Sequence, residues 1–237
     1  MSDKHLSTQF DTDLTSISTK VLQMGGLVEA QIARAMRALA NFDTAMCDQV
    51  LAVEQEINAL EIEIDGDCNN IIARRQPTAR DLRLVMAISK TITNLERAGD
   101  EAAKIAKRTK RLMQDPSAHA LNYAGVERSG EMAATILRHA LDAFARLDTA
   151  EAVSILQEDK AIDEEFRGFM RELITYMMEN PRTISVALDL LFIAKAIERI
   201  GDHAKNIAEF IIYIVKGTDV RHAGREALER EVQGEGE

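Results

Sequence analysis

The stretch that decides the fold is Leu-Glu-Arg-Ala-Gly-Asp-Glu-Ala-Ala-Lys-Ile-Ala at residues 95–106, because it returns as Ile-Glu-Arg-Ile-Gly-Asp-His-Ala-Lys-Asn-Ile-Ala at residues 197–208. An earlier segment is repeated as well, since Asp43-Thr44-Ala45 returns as Asp148-Thr149-Ala150. Internal repetition at a spacing of about 100 residues indicates two similar modules in tandem. The sequence therefore predicts a protein of two related halves.

Around the second copy, apolar residues recur at alternating steps of four and three, the spacing of the apolar seam of a helix in a bundle. They are Ile193, Ile197, Ile200, Ala204, Ile207, Ile211 and Ile214. The matching positions of the first copy form a weaker seam, Thr91, Leu95, Ala98, Ala102, Ile105, Thr109 and Leu112. Aromatic residues make up only 4% of the chain, and it has 3 prolines. These features predict an all-α protein of two tandem three-helix bundles.

Turn and capping residues divide the chain into six predicted helices. In the first half they span residues 12–40, 45–74 and 79–113. In the second half they span residues 122–147, from the turn at 148–149 to 179, and 183–216. We assign residues 1–114 to the first bundle, 120–217 to the second, and 218–237 to a flexible acidic tail.

Composition and missing motifs exclude several classes of function. The net charge of −10 argues against nucleic-acid binding, which depends on basic surface. No apolar run reaches the roughly 18 residues of a membrane-spanning helix, and no signal peptide is predicted. Cys47 and Cys68 form no zinc pattern, and no phosphate-binding loop or nucleophile elbow occurs. The sequence predicts a reduced, cytosolic protein.

The chemistry of the repeat lies in pairs of carboxylates four residues apart, which share one face of a helix. The pairs are Glu198 with Asp202, Asp159 with Asp163, and Glu96 with Asp100, while Glu54 has Asn58 at the fourth position. One interpretation is a site for a hard cation such as Mg²⁺, Mn²⁺ or iron, which accept oxygen ligands. The other is a solvated surface paired with basic neighbours such as Arg97 and Arg199.

Both copies of the repeat carry a glycine inside the predicted helix, at Gly99 and Gly201. Glycine in a helix interior costs about 1 kcal/mol relative to alanine, so each position has a reason for it. Close packing of another helix and access for an ion would each explain both glycines. No Glu-x-x-His motif occurs in the chain, which argues against a ferritin-like di-iron oxidase.

With these motifs in place, the sequence resembles the PhoU family of phosphate-uptake regulators over residues 10–216. The resemblance rests on residues 77–83 (Pro-Thr-Ala-Arg-Asp-Leu-Arg), 96–100 and 198–209. It implies a cytoplasmic accessory protein of the high-affinity phosphate transporter, without enzymatic activity. Such a protein restrains phosphate uptake and helps to keep a sensor kinase from activating phosphate-starvation genes when phosphate is plentiful.

Our leading hypothesis from the sequence is a homodimeric negative regulator of cellular phosphate homeostasis. It would contact the ATPase subunit of the phosphate ABC transporter and the sensor histidine kinase of the phosphate regulon. Through these partners it would be recruited to the inner face of the membrane. Two alternatives stay open, a metal-dependent phosphohydrolase built on the carboxylates and a cation-buffering or structural helical protein.

The resemblance also implies metal sites, because members of the family bind metal clusters through Glu(Asp)-x-x-x-Asp motifs paired between neighbouring helices. Carried over by position, the second-half site would use Asp159, Asp163, Glu198 and Asp202. The first-half site would use Glu54, Glu96 and Asp100, with Asn58 departing from the pattern. We therefore expect the firmer site near Glu198 and Asp202.

Overall fold

The computed structural model describes residues 8–220, and within them the chain forms six α-helices and no β-strand. The helices are α1 Thr8–Asn41, α2 Thr44–Arg75, α3 Ala79–Leu112, α4 Ala124–Arg146, α5 Thr149–Glu179 and α6 Ile184–Lys216. Short 3₁₀ helices at Pro116–Ala120 and Pro181–Thr183 precede α4 and α6. The predicted all-α fold of two three-helix bundles is confirmed.

The two halves begin their second helices with the same cap. The side chain of Asp43 accepts a hydrogen bond from the backbone N–H of Met46, and that of Asp148 accepts from Ala150 and Glu151. Such caps satisfy backbone donors that have no partner inside the helix. The repeated Asp-Thr-Ala segment thus marks equivalent helix starts, and residues of α2 correspond to residues 105 positions later in α5.

Several helix ends differ from the predicted ones by one to four residues, and three of the helix starts are informative. The first helix begins at Thr8 rather than near residue 12. The fourth begins at Ala124 rather than near residue 122, because the side chain of Asn122 accepts a hydrogen bond from the Ala124 N–H. The sixth begins at Ile184, since Pro181–Thr183 forms a 3₁₀ turn that the sequence did not reveal. Caps act locally and boundaries shift by a few residues, so the architecture is unaffected.

Helices α3 and α6 form the centre of the molecule. Each packs on the other two helices of its own half, and the two pack along each other. They run antiparallel, because Arg83 Nε donates to the Ile214 carbonyl at 3.3 Å near one end and Arg108 Nη1 lies 2.6 Å from Asp189 Oδ1 near the other. Every residue of the two predicted apolar seams is buried. Apolar burial, worth about 25 cal/mol per Å², therefore holds the two bundles together as well as each bundle.

The segment between the halves is an ordered connection. The Asp115 carboxylate accepts from the Ser117 N–H at 2.9 Å, and the Tyr123 hydroxyl donates to the Ala118 carbonyl at 2.9 Å. The predicted domain boundary falls here and stays a prediction. Of the predicted tail, residues 221–237 lie outside the described residues. In the described part of the chain, no helix is long and apolar enough to cross a membrane.

Candidate functional site

In the second half, the predicted carboxylates lie where α5 packs on α6, and three of the four have a cationic partner. The ion pairs are Asp159 with Lys205 at 3.2 Å, Glu198 with Lys195 at 2.5 Å, and Asp163 with Arg167 at 3.8 Å. Asp159 is only 3% exposed, as its place on the apolar face of α5 requires. The fold thus brings the predicted ligands to the contact between α5 and α6, but it also brings protein cations to them.

Asp159 and Lys205 form the most buried of these pairs. Burial raises the pKa of the Asp159 carboxyl, and repulsion from Asp202 and Asp163 adds to the rise, while Lys205 opposes it. Burial disfavours the charged form of Lys205, but attraction to Asp159, Glu209 and Asp202 outweighs it and raises the pKa of Lys205. Lys205 therefore stays an ammonium ion and supplies the positive charge that a buried carboxylate needs.

In the first half, the predicted carboxylates on α2 and α3 have less compensation. Glu54 lies 3.8 Å from Lys107 Nζ. Neither Glu96 nor Asp100 forms an ion pair with a lysine or arginine of residues 8–220. Burial raises the pKa of Glu96, and repulsion from Asp100, Glu61 and Glu54 adds to the rise. This half therefore holds a cluster of carboxylates that repel one another.

Glu61 belongs to this cluster, although sequence reasoning missed it. The hydroxyl of Thr93 donates to Glu61 Oε1 at 3.2 Å, which places Glu61 against α3. Its equivalent in the second half is Phe166, so a comparison of the two copies gives no hint of it. The available signal was its position seven residues after Glu54, two turns along the same helix face.

The donor atoms of the seven predicted ligands do not converge on one point in this structure. Across residues 8–220, one group of three metal-ligating side chains has its donor atoms within 4.8 Å of one another, and it contains none of the seven predicted residues. The ion pairs with lysine and arginine hold the second-half carboxylates in other directions. The seven-residue ligand set therefore stays a prediction.

Both glycines of the repeat permit a close approach from a neighbouring helix. A Cβ atom at Gly99 would lie 3.0 Å from Gln31 Oε1, and one at Gly201 would lie 3.1 Å from Ile162 Cδ1 and 3.2 Å from Asp159 Oδ1. These distances are tighter than ordinary van der Waals contact, which begins near 3.4 Å. In both halves a side-chain oxygen thus takes the space beside the glycine, which favours the close-packing interpretation.

Gln31 brings an additional oxygen to the first half. Its amide nitrogen donates to the Val50 carbonyl at 3.0 Å, whereas its Oε1 is fully buried and has no hydrogen-bond partner. A buried acceptor without a partner costs about 1–3 kcal/mol, so this oxygen calls for a donor or a cation. Glu54, Glu96 and Asp100 likewise offer only oxygen donors, the kind that Mg²⁺, Mn²⁺ and iron accept. The first-half residues therefore fit a hard cation.

A cavity of about 580 Å³ lies between α3 and α6, where the two copies of the repeat face each other. Its lining residues are Arg97, Asp100, Glu101, Lys104, Lys195, Arg199, Asp202, His203, Lys205 and Asn206. Five of these side chains are basic and three are acidic, so the cavity is locally positive on a chain whose net charge is −10.

Glu101 and His203, at equivalent positions of α3 and α6, set the polarity of this cavity. Glu101 is buried and pairs with Lys104 at 2.8 Å and with Arg199 at 3.5 Å. His203 Nδ1 lies 3.1 Å from Asn94 Oδ1. Burial lowers the pKa of His203 to about 4, so the ring is neutral at neutral pH. A glutamate with two basic partners and a neutral imidazole thus face the same space.

Comparison with known families decides what this repeat is. The model of the PhoU domain matches residues 21–109 and again residues 126–211, once in each half. The chain belongs to the PhoU family. The double match confirms both the internal repeat and the family resemblance that the Glu-Arg-x-Gly-Asp motifs carry.

Full-length relatives of the PhoU family share about half of their residues with this chain. A phosphate-specific transport system accessory protein PhoU homolog from Burkholderia sp. is 55% identical over 232 residues, covering 98% of this chain and 99% of the relative. The phosphate-specific transport system accessory protein PhoU of Escherichia coli (strain K12) is 47% identical, covering 98% and 95%. The match therefore extends over both bundles.

Solved PhoU structures have the same fold. A crystal structure of PhoU from Pseudomonas aeruginosa superposes with a TM-score of 0.86 at 45% identity, covering 88% of this chain and all of that one. A phosphate transport system regulatory protein PhoU from Streptococcus pneumoniae superposes with a TM-score of 0.82 at 29% identity, covering 89% and 99%. Because relatives carry names of accessory or regulatory proteins, the prediction that the chain is not an enzyme is confirmed, and the phosphohydrolase alternative finds no support.

Proposed function

We propose that this chain is an accessory protein of the phosphate-specific transport system and a negative regulator of phosphate uptake and of the phosphate-starvation response. The observation that carries the proposal is the identity of 47% to 55%, over nearly whole chains, to relatives named as accessory proteins of that system. The protein works as an adaptor, binding the ATPase subunit of the phosphate ABC transporter and the sensor histidine kinase. It acts in the cytoplasm and reaches the inner face of the membrane through these partners.

Apolar side chains at repeat-equivalent surface positions support this adaptor role. Near the start of α3, Leu82 and Met86 are 38% and 42% exposed, and their counterparts Ile184 and Leu188 near the start of α6 are 43% and 41% exposed. Residues four apart lie on one helix face, so each half presents a short apolar stripe. Exposed apolar residues that are contiguous mark interaction surfaces. Because α3 and α6 run antiparallel, the two stripes lie toward opposite ends of the molecule.

The second stripe continues for one more turn. Phe192 is 49% exposed, and the guanidinium of Arg108 lies 4.3 Å from its ring centroid. Arg108 is itself held by Asp189 at 2.6 Å. An exposed aromatic ring with an ordered arginine is the composition typical of interface centres. The stripes differ at this position, since the residue equivalent to Phe192 is Lys90, so the two ends suit different partners.

Deletion and complementation test the regulatory role. A deletion strain should show derepressed phosphatase expression and raised uptake in high phosphate, and the intact gene should restore both. In complementation, Leu188→Asp and Phe192→Asp should fail to restore repression and should no longer capture one of the two partners. Ile62→Asp is the matched control, because Ile62 is 74% exposed and lies on α2, a helix that contributes to neither stripe. Unchanged phosphatase expression and uptake in the deletion strain would sink the proposal.

The homodimer belongs to the same proposal. An apolar stripe that is not used by the transporter or kinase is available to a second copy of the chain. Sedimentation of the purified protein should give twice the monomer mass of 26.3 kDa. Leu82→Asp with Met86→Asp should return the mass to that of a monomer if the α3 stripe forms the dimer contact. A monomeric intact protein across micromolar concentrations would remove the dimer from the proposal.

Metal binding is a separate part of the proposal. We assign hard cations such as Mg²⁺, Mn²⁺ or iron to the predicted carboxylates of both halves. In the first half, the mutual repulsion of Glu96 and Asp100 and the orphan oxygen of Gln31 support this assignment. A bound cation would supply the positive charge that these oxygens lack and would tie α2 to α3. No catalytic step is attached to it.

A further inference from the structure

One group of metal-ligating side chains belongs neither to the repeated carboxylates nor to the cavity between the halves. It consists of His139 on α4 and of Glu151 and Glu158 on α5. His139 Nδ1 lies 3.1 Å and 3.2 Å from the two carboxylate oxygens of Glu158 and 3.9 Å from Glu151 Oε1. One donor atom of each residue lies within 4.8 Å of the others, so a small side-chain rotation would bring all three onto one ion.

The charges of this cluster are unbalanced. Within residues 8–220, neither Glu151 nor Glu158 has a lysine or arginine at ion-pair distance, and the imidazole of His139 is the only basic side chain that lies beside both. A single Nδ1 proton can be donated to one carboxylate at a time, and even an imidazolium leaves one negative charge. Glu151 and Glu158 are seven residues apart, about 10.5 Å along the helix axis, yet both side chains converge on the same nitrogen. A divalent cation would neutralise the two carboxylates that meet there.

The internal repeat shows that the fold does not require these residues. The first-half equivalents of Glu151 and Glu158 are Met46 and Val53, and both of those pack against the apolar core. The equivalent of His139 is Arg34. The same pair of helices is thus built in the first half without any metal-ligating side chain at these positions. The cluster is an addition of the second half and has a reason other than helix packing.

The cluster is also separate from the repeated carboxylates, although Glu158 precedes Asp159 in the chain. Glu158 faces α4, where it meets His139, whereas Asp159 faces α6, where it meets Lys205. The side chains of His139, Glu151 and Glu158 are 38%, 35% and 35% exposed. An ion held there would keep open coordination positions toward solvent.

We propose that His139, Glu151 and Glu158 form a binding site for a single divalent transition-metal ion, for which Zn²⁺ is the probe. The donor set is one imidazole nitrogen and two carboxylates. Imidazole selects zinc and its first-row neighbours over Mg²⁺ and Ca²⁺, which take oxygen ligands. Three protein ligands leave at least one position for water or for a donor from a bound molecule.

Titration of the metal-free full chain with Zn²⁺, in competition with a chromophoric chelator, tests the proposal. The intact chain should bind Zn²⁺ at this site in the presence of excess Mg²⁺. His139→Gln, Glu151→Gln and Glu158→Gln should each weaken that binding by roughly tenfold or more, since each removes a ligand of a three-ligand site. His119→Gln is the matched control, because His119 is an exposed histidine outside the cluster, and it should bind as the intact chain does. Asp159→Asn with Asp202→Asn should also keep the site.

A second measurement reads the imidazole itself and does not depend on the folding of variants. In the ¹⁵N-labelled intact chain, Zn²⁺ should shift the His139 Nδ1 resonance and leave Nε2 as the protonated nitrogen. Zn²⁺ affinity that is unchanged in both His139→Gln and Glu158→Gln, or a His139 resonance that Zn²⁺ does not move, would overturn the proposal. Displacement of Zn²⁺ by millimolar Mg²⁺ would also overturn it, because it would mark a general acidic surface.

Discussion

In the second half, Lys205 lies 3.2 Å from Asp159, whereas its equivalent in the first half is Ala103, which brings no charge. Other side chains near the carboxylates also differ between the copies. Lys107 corresponds to Glu209, Thr93 to Lys195, and Glu61 to Phe166, over whose ring Lys195 lies at 5.3 Å. The repeat therefore keeps the acidic motif and the glycine, and varies the side chains that neutralise them.

This difference separates two ways of stabilising one arrangement of helices. The second half carries its own cation inside the cluster, as a lysine. The first half leaves Glu96 and Asp100 without such a partner among the described residues. A buried or half-buried carboxylate must be neutralised by protonation, by an ion pair or by a metal. A bound metal ion should therefore stabilise the first half more than the second. The number of carboxylates had led us to expect the firmer metal site in the second half.

The largest expected effect is the loss of one whole metal site. Asp159→Asn with Asp202→Asn should abolish the metal bound in the second half and leave that of the first. Glu96→Gln with Asp100→Asn should do the converse. Because an amide keeps the shape of the carboxylate but loses its charge, these changes remove the anionic ligands with little change in packing. Elemental analysis of protein loaded with Mn²⁺ and then dialysed measures the stoichiometry of each variant.

The same experiment ranks the halves. If the lysine of the second half competes with metal, the first-half site should retain Mn²⁺ longer during dialysis against a chelator. Melting curves of each double variant serve as the control for folding. Unchanged metal stoichiometry in both double variants would mean that the carboxylates are surface charges only.

A smaller effect is expected from removing the built-in cation. Lys205→Met leaves Asp159 buried without its partner and should lower the free energy of unfolding of the metal-free protein by about 2 kcal/mol, less than for a fully buried pair because Lys205 reaches solvent. Lys107→Met is the matched change in the first half, and it should stay within about 0.5 kcal/mol because its contact to Glu54 is long and exposed. Urea unfolding at pH 7 in a chelator measures both.

The same unfolding measurement with Mn²⁺ in place of the chelator gives the comparison. Added Mn²⁺ should recover stability in Lys205→Met, since the ion takes the place of the ammonium beside Asp159. If Lys205→Met and Lys107→Met lose the same stability, the two halves are not neutralised differently, and the comparison fails.

Helices and apolar seams were predictable from the sequence, because a period of alternating four and three residues is a local property that burial in a bundle requires. The repeated carboxylates were predictable because their four-residue spacing is also a local property of the sequence. The cations beside them were not, because Lys205 meets Asp159 across two helices and nothing in the spacing says which lysine turns inward. The cluster at His139 was missed as well, since its members are on two helices and have no counterpart in the other half.

The next prediction concerns how the stability of the protein depends on pH through His203, which faces the cavity between α3 and α6. Burial depresses the folded-state pKa of His203 to about 4, below the 6.5 of an exposed histidine. Between these values the unfolded chain binds the proton more readily, so this residue's contribution to stability is present above pH 6.5 and is lost as pH falls toward 4. His203→Asn should remove that part of the pH dependence, on the order of 1–2 kcal/mol. Urea midpoints at pH 7.5 and 4.5, in a chelator, measure it.

His119→Asn is the control for this prediction, because His119 is exposed. It should keep the full loss of stability on acidification. An equal loss in His203→Asn and in the intact chain would show that His203 is protonated as readily in the folded state as in the unfolded state.

The smallest effect is expected at Glu96, whose equivalent in the second half, Glu198, has a lysine partner that Glu96 lacks. The folded-state pKa of Glu96 is raised, first by burial and then by Asp100 and its other acidic neighbours. A raised carboxyl pKa means that the folded protein loses stability as pH rises from the unfolded value through the folded one. Glu96→Gln should therefore make the metal-free protein slightly more stable at pH 7, and this gain should vanish below about pH 4. The equivalent Glu198 is held by Lys195 at 2.5 Å, so Glu198→Gln removes an ion pair and should give no gain. If both variants gain stability at pH 7, the cations of the second half do not neutralise its carboxylates; if neither does, those of the first half are already neutralised.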